Sequence, residues 1–307
     1  MTGPMDTASS RPWRMVMPLI VVVCLGVLWS IFWVVASGIV QEQAATARAT
    51  AARSGLSLAC ASESWGGYPF RFEFICVAPV IEAKQSYRLE AGRLEAVAQA
   101  YYPWHVLVLL DGPTNVSSTK AGVLRIDHSR AIASFRFRDG PEPEFSLELP
   151  KVNIPDLFGA SEVLLHTRPE PEGAHGVALS MSGIHHQREG RPSLDVESAT
   201  LLATLRRDLV LDIHDVDLRS QDVTWHGTGT MELNAGRRIA GVLHTSTNSL
   251  DGLLAILEPH IEMADQQRAA FKAVMGLLGQ QAKADIIAKN GELYIGPFKI
   301  ANLLPID

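Results

Sequence analysis

Between Met15 and Val40 the chain runs MVMPLIVVVCLGVLWSIFWVVASGIV without one charged side chain. As a helix this run rises about 1.5 Å per residue and so exceeds the roughly 30 Å of hydrocarbon in a bilayer. Arg11 and Arg14 stand immediately before it. By the positive-inside bias they place residues 1–14 in the cytoplasm, residues 15–40 across the membrane and the rest of the chain beyond it. Arg48 and Arg53 beyond the span make that contrast modest. Trp13, Trp29 and Trp33 add aromatic surface, and Pro18 is near enough to the start to interrupt little helical hydrogen bonding. A cleaved signal peptide is the rival reading. Ala36 and Gly38 offer small residues near a cleavage position, but the apolar run is longer than a usual signal core.

Cysteine usage bears on the same question. Cys24 lies inside the apolar run and reads as a small apolar side chain. Cys60 and Cys76 bracket ASESWGGYPFRFEFI in the part beyond the span. An oxidising compartment permits them to close a disulfide loop, worth about 3 kcal/mol in the chain-entropy account. The alternative is two separate buried thiols. A formal net charge of −6 gives no general reason to expect nucleic acid as a partner. The aromatic-basic stretch FRFRD, Phe135 to Asp139, alternates faces as a strand does, so no nucleic-acid role is read into it.

After Val40, QEQAATARATAARSG is alanine-rich and can extend the membrane helix or form a short juxtamembrane helix before Gly55, with residues 41–59 assigned to this juxtamembrane segment. From residue 60 to 307 the main signal has period two. In PFRFEFICV, Phe70, Phe72, Phe74 and Cys76 share one face. Trp104 to Leu110 forms another candidate strand, as do AGVLRID and ASFRFRD. In EFSLELP, Phe145, Leu147 and Leu149 oppose Glu144, Ser146 and Glu148, which suits a sheet with one packed and one wet face. Arg168 to Gly176 (RPEPEGAHG) reads as an exposed loop inside one β-rich domain. The segment from Ser193 to Leu218 mixes helical and strand features, its second half being the better strand.

The clearest hairpin puts Val223, Trp225, Gly227, Gly229, Met231 and Leu233 on one side. It turns at Asn234-Ala235-Gly236 and returns along Ile239 to Ser246. Asn248 or Ser249 then caps a helix carrying Leu250, Leu253, Leu254 and Leu257. A second helix from Ile261, with Phe271, Val274, Leu278 and Ile286 on its apolar surface, completes C-terminal helices at about 249–289. GELYIGPFKI supplies a closing strand. The expected fold class is mainly β with flanking helices: a transmembrane helix followed by a twisted antiparallel sheet, either closed over a core or open as a groove.

No residue pattern points to an active site. Adjacent His185 and His186 face opposite ways in a strand, and no Cys/His spacing resembles a zinc motif. Asp111, Asp127 and Asp139 fall near turns, where aspartate has a local backbone role. GTG at Gly227 to Gly229 lacks the lysine and spacing of a phosphate loop, so backbone packing or bending is the better account. The reading is therefore no enzyme, no cofactor and no metal.

GYPFRFEFICVAP, the block EAVAQAYYPWHVLVLLDGP and the closing GELYIGPFKIANLLP together resemble the DUF2125 family of uncharacterised bacterial proteins. The matching pattern includes Cys60, Trp65, Gly66, Pro69, Phe70, Arg71 and Cys76. The resemblance implies an alphaproteobacterial envelope protein, with Arg71 organising the Trp65–Phe70 region through backbone hydrogen bonds. GTGTMELNAGRRIAGVLHTSTNSLDGLLAILEP more weakly resembles AsmA-like envelope proteins, which implies a periplasmic β-sheet groove associated with lipid traffic or outer-membrane homeostasis.

The expected address is then the bacterial inner membrane, single-pass, with a periplasmic main domain. Two functions are open, and the first is the reading chosen. One is a structural or accessory role in envelope assembly or homeostasis, through an envelope protein partner. The other is lipid binding or transfer, with Trp104, Val106, Val108, Val223, Trp225 and Met231 as candidate lining residues and a bound lipid in addition to those around the anchor.

Overall fold

A computed structural model describes residues 13–84, 86–118, 122–137, 142–187, 193–234, 236–257, 282–295 and 298–303. Helix α1 (Trp13–Arg53) is one unbroken element of 41 residues. At 1.5 Å per residue it is about 61 Å long, twice the thickness of a bilayer core. Its apolar stretch is exposed, as the surface of a lipid-facing helix is, and it is long and apolar enough to be a single-pass membrane anchor. Of the two readings after Val40, extension of the membrane helix holds, and the helical assignment to residue 59 is corrected at its end. Gly55 adopts φ +83, and the amides of Ser54 and Gly55 bond the carbonyls of Ala51 and Ala52, a left-handed C-terminal stop that glycine permits. Strand pairing then overrides helical propensity, and β1 (Leu56–Ala59) follows at once.

Ten strands fill the next part of the chain. They are β2 (Ser62–Gly66), β3 (Arg71–Val77), β4 (Val80–Ala83), β5 (Tyr87–Glu90), β6 (Arg93–Gln99), β7 (Tyr102–Asp111), β8 (Thr114–Ser118), β9 (Gly122–Ile126), β10 (Ala131–Arg136) and β11 (Glu144–Ile154). A second run holds β12 (Phe158–Pro169), β13 (His175–His186), β14 (Leu194–Leu205), β15 (Val210–Ser220), β16 (Val223–Leu233) and β17 (Ile239–Thr247). Helix α2 (Leu250–Leu257) comes next, and β18 (Ala282–Lys289), β19 (Glu292–Ile295) and β20 (Phe298–Asn302) close the described chain.

All pairings are antiparallel. A small sheet runs β1-β4-β5-β8-β9, and a fifteen-stranded sheet runs β2-β3-β6-β7 and then from β10 to β20 in sequence order. With neighbours about 4.8 Å apart, the large sheet stacks to roughly 65 Å, and neither of its terminal strands pairs with the other. The fold class is thus as read: mainly β, antiparallel, behind a long apolar helix.

Several local readings hold in detail. The β16–β17 hairpin pairs Trp225 with Thr247 and Leu233 with Ile239, and Asn234 Oδ1 accepts the amides of Gly236 and Arg238 in the turn. Between the two candidate caps of α2, the serine does the capping: Ser249 Oγ accepts the Gly252 amide at 3.2 Å. The ambiguous Ser193–Leu218 segment is a strand pair, β14 and β15, turning at Leu209 with φ +61.

Other readings need correction. Ala282–Lys289, assigned to a helix ending at 289, is β18. Its Ala284, Ile286 and Ala288 pair with Thr245, Leu243 and Gly241 of β17, and period-two pairing outweighs the good helix formers in AKADIIAK. The remainder of that expected helix, 258–281, lies outside the described residues. Phe70 precedes β3 rather than extending its buried face, because the Gly67–Arg71 turn intervenes. It is 63% exposed, while Phe72, Phe74 and Cys76 are buried as expected.

Candidate functional site

Directly paired residues in a sheet share a face, so the register traces one surface across the molecule. From β3 it passes Phe72, Ala98 and Val106 to Phe135. It continues through Phe145, Thr167, Val177 and Ala203 to Ile213, then Gly229, Leu243, Ile286, Ile295 and Phe298. The next row holds Val108, Ala133, Leu147, Leu165, Leu179, Leu201 and Val216. No charged residue interrupts either row.

The fully buried apolar residues on or beside this face are mostly small, among them Ala131, Ala199, Ala203 and Ala288. Phe72, Phe74 and Leu243 are buried as well, whereas most other large ones, such as Leu147, Leu165, Leu179 and Leu201, remain half-buried. Among the described residues the only sizeable side chains under 2% exposed are Pro79 and Cys76. A closed core buries its large side chains most completely, so this is an apolar face that its own sheet leaves incompletely covered.

The expected lining residues distribute along it. Val106 and Val108 lie on β7 and Met231 on β16, all half-buried. Trp104, on the same side of β7, is 62% exposed at the strand end. Trp225 folds over Gly227, its Cη2 lying 3.2 Å from where a glycine Cβ would stand. Val223 is roofed by α2, with its Cγ2 only 2.6 Å from the corresponding point on Gly252.

Near the β2–β3 edge, α1 leans on this face. Trp33 stacks on Phe72 with ring centroids 6.1 Å apart, and Trp29 meets Phe70 at 6.4 Å. Trp29 Nε1 donates to Pro69 O at 2.9 Å and Trp33 Nε1 to Arg71 O at 3.1 Å. Arg48 places its guanidinium 4.6 Å from the Phe74 ring and pairs with Glu63 at 3.0 Å. Trp65 contacts Phe74 at 4.9 Å. The Cys60–Cys76 disulfide, with Cα atoms 5.4 Å apart, joins the lead-in of β2 to β3.

The Gly67–Arg71 turn is held by its backbone: the Arg71 amide donates to Gly67 O, while the Arg71 side chain pairs with Glu73 at 2.8 Å. Gly67 has φ +99, and a Cβ there would stand 2.5 Å from Arg71 O. Gly67→Ala is therefore expected to cost about 1–3 kcal/mol through strain. Gly66→Ala, with nothing within 4 Å of the new Cβ, is expected to leave the melting temperature close to that of the parent. Thermal unfolding of the pair checks the contrast.

The opposite face is polar and collects histidines. His105 and Ser134, His166 and Ser146, and His214 and Thr204 each make 2.8 Å contacts between imidazole and hydroxyl. The recurrence of one pair type between strands marks sheet stabilisation. A hollow of about 890 Å³ lies there, lined by Ser146, His166, Glu170, Leu202, Thr204 and His214 among others. His185 bonds Asp195 at 2.5 Å, which raises the imidazole pKa and lowers that of the carboxylate, while His186 reaches Leu157 O on the other side.

Asp215, Asp217 and His226 bring donor atoms within 4.8 Å of one another, among the described residues. A bulge between Ile213 and Val216 turns Asp215 to this side, and Asp217 pairs with His226. A hydrogen bond shared with Asp217 pushes the Asp215 pKa up, with desolvation adding to it. The folded state thus binds that proton more readily than the unfolded chain, and the benefit is lost as pH rises through the raised value. Asp215→Asn is expected to raise the melting temperature at pH 7. The gain should vanish below the unperturbed value of 3.8, which melts across pH will check.

Sequence reasoning found several strands of the apolar face and the disulfide, but took β18 for helix and missed the docking of the face to α1. The tryptophans in the apolar run were the available signal. The family described as "Uncharacterized protein conserved in bacteria (DUF2125)" matches residues 33–303. No curated protein and no solved structure matches the chain.

Proposed function

We propose that this chain, which belongs to the DUF2125 family of uncharacterized bacterial proteins, is a membrane-anchored lipid-binding accessory of the cell envelope that seats acyl chains along its apolar sheet face. One observation carries the reading: an uncharged apolar surface follows the strands from Phe72 to Phe298, with most of its large side chains left half-buried. Water-facing sheets do not ordinarily leave such a surface uncovered. The occupant follows from continuity, since the face begins where a membrane-length apolar helix leans against it.

The likeness of the β16–β17 hairpin to AsmA-like proteins agrees with this function. The disulfide agrees with a periplasmic main domain, because such bonds persist in oxidising compartments. The arginines before the span favour the bacterial inner membrane with the N-terminus inside.

The test is native mass spectrometry of the full chain purified from envelope membranes. Lipid should be retained in stoichiometric amount and be lost in Leu179→Glu, which places a charge beside Leu165 and Leu201 on the apolar face. Equal lipid retention by Leu179→Glu, with the disulfide and far-UV spectrum intact, would sink the reading. A second reading, a scaffold for an envelope protein, draws on β20 being a terminal strand of the large sheet. A terminal strand is the kind of element to which a partner's strand adds, and a lipid-free protein in a stable complex would favour it.

A further inference from the structure

The Gly67–Arg71 turn is tied to α1 at a defined height. Trp29 Nε1 holds Pro69 O, Trp33 Nε1 holds Arg71 O, and Ser30 Oγ contacts Tyr68 Oη at 2.8 Å. Trp33 also meets Tyr68 edge-on at 5.3 Å. These fastenings turn the helix into a depth gauge. The hydrocarbon begins no earlier than the charged Arg14, and about 30 Å of core at 1.5 Å per residue carries it to about residue 35. Trp29 then lies about 9 Å, and Trp33 about 3 Å, inside the boundary on the C-terminal side of the span.

Shifting the span toward Val40 would bury both more deeply. Helical side chains lean toward the N-terminus, which lowers the contacts further. In every register that keeps Arg14 out of the core, the turn sits at or within the membrane boundary.

The side chains there suit that position. Tyr68 is 58% exposed, Phe70 63%, Tyr101 67% and Trp104 62%. The Ala100 amide donates to Phe70 O at 2.8 Å, so the β6–β7 turn shares the height of the first turn. Exposed tyrosine and tryptophan are what an interfacial belt uses, with an apolar ring in lipid and a polar tip in water. Phe72, first residue of the apolar face, follows this turn by one position and stacks on Trp33.

We propose that the Tyr68–Phe70 and Tyr101–Trp104 turns insert into the membrane leaflet on the C-terminal side of the anchor and form a portal. Through it, lipid acyl chains pass between that leaflet and the apolar sheet face. The insertion stands on the helix contacts alone, and the passage of lipid rests on the function proposed above.

The experiment places the photocrosslinker 4-benzoylphenylalanine singly at Phe70, Tyr101, Leu179 and Thr228 of the full chain. The protein sits in vesicles of phosphatidylethanolamine and phosphatidylglycerol, and lipid adducts are read by mass spectrometry. Phe70 and Tyr101 should capture lipid severalfold above Thr228, on the polar face, and Leu179 should capture it too. Adducts at Phe70 and Tyr101 no higher than at Thr228 overturn the insertion. Capture at both turns but none at Leu179 keeps the insertion and removes the passage. Capture at Leu179 alone leaves the groove standing and removes the portal. Variants without the Cys60–Cys76 disulfide on a non-reducing gel are discarded as misfolded and replaced by the same probe at Tyr68 or Tyr102.

Discussion

A chain in which Cys60 and Cys76 are both serine should unfold about 3 kcal/mol more easily than the parent, the entropy a loop of this size restores to the unfolded chain. The bond spans 16 residues, and those residues contain the turn that α1 holds through Trp29 and Trp33. Its loss therefore loosens two attachments. Cys76 is fully buried, so an unpaired hydroxyl in Cys76→Ser also adds a desolvation cost. Urea unfolding of the parent with and without reductant, beside the double variant, measures this. Equal midpoints for all three would refute the assignment of the bond as a stabilising staple.

The second large effect is expected at Gly229. A Cβ there would stand 2.1 Å from Val242 O and 2.9 Å from Leu243 Cα, both main-chain atoms that have no rotamer to yield with. Gly229→Val should cost about 3 kcal/mol, at the upper end for an overpacked site. One residue earlier, Thr228 is exposed on the polar face. Thr228→Val should change stability by no more than about 0.5 kcal/mol, the usual bound for surface substitutions. The pair separates close backbone approach from a general intolerance of β16. Parental stability in Gly229→Val would show that the β16 and β17 backbones do not approach as described.

How much of this was legible in the sequence depended on range. The β16–β17 hairpin was readable because alternation, turn residues and return strand all lie within one short segment. EFSLELP was readable for the same reason. Ala282–Lys289 was not: alanines, lysines and the adjacent Ile286 and Ile287 satisfy a helix as well as a strand, and pairing with β17 decides. The helix stop before Gly55 was readable from the glycine, whose backbone turns left-handed, but the strand that begins immediately after it was not.

The alternation that puts Val223, Trp225 and Met231 on one side of β16 was readable, yet Val223 could not be known to lie beneath α2. The site feature with the greatest consequence, the fastening of Pro69 to Trp29, joins positions 40 residues apart. No local pattern encodes such a contact.

From β12 to β20 each strand of the large sheet pairs, among the described residues, only with its neighbours in sequence. Such an array is nearly one-dimensional, and its stability is close to a sum of nearest-neighbour terms. Inserting or deleting one hairpin would move the far end by about 10 Å while leaving every other pairing in place. The reach of the apolar surface is therefore an adjustable dimension, set by how many hairpins the gene happens to encode. Natural variation in this architecture should appear as changes of whole hairpins between β12 and β20, with the stretch from Cys60 to Trp104, which meets the anchor, held at constant length.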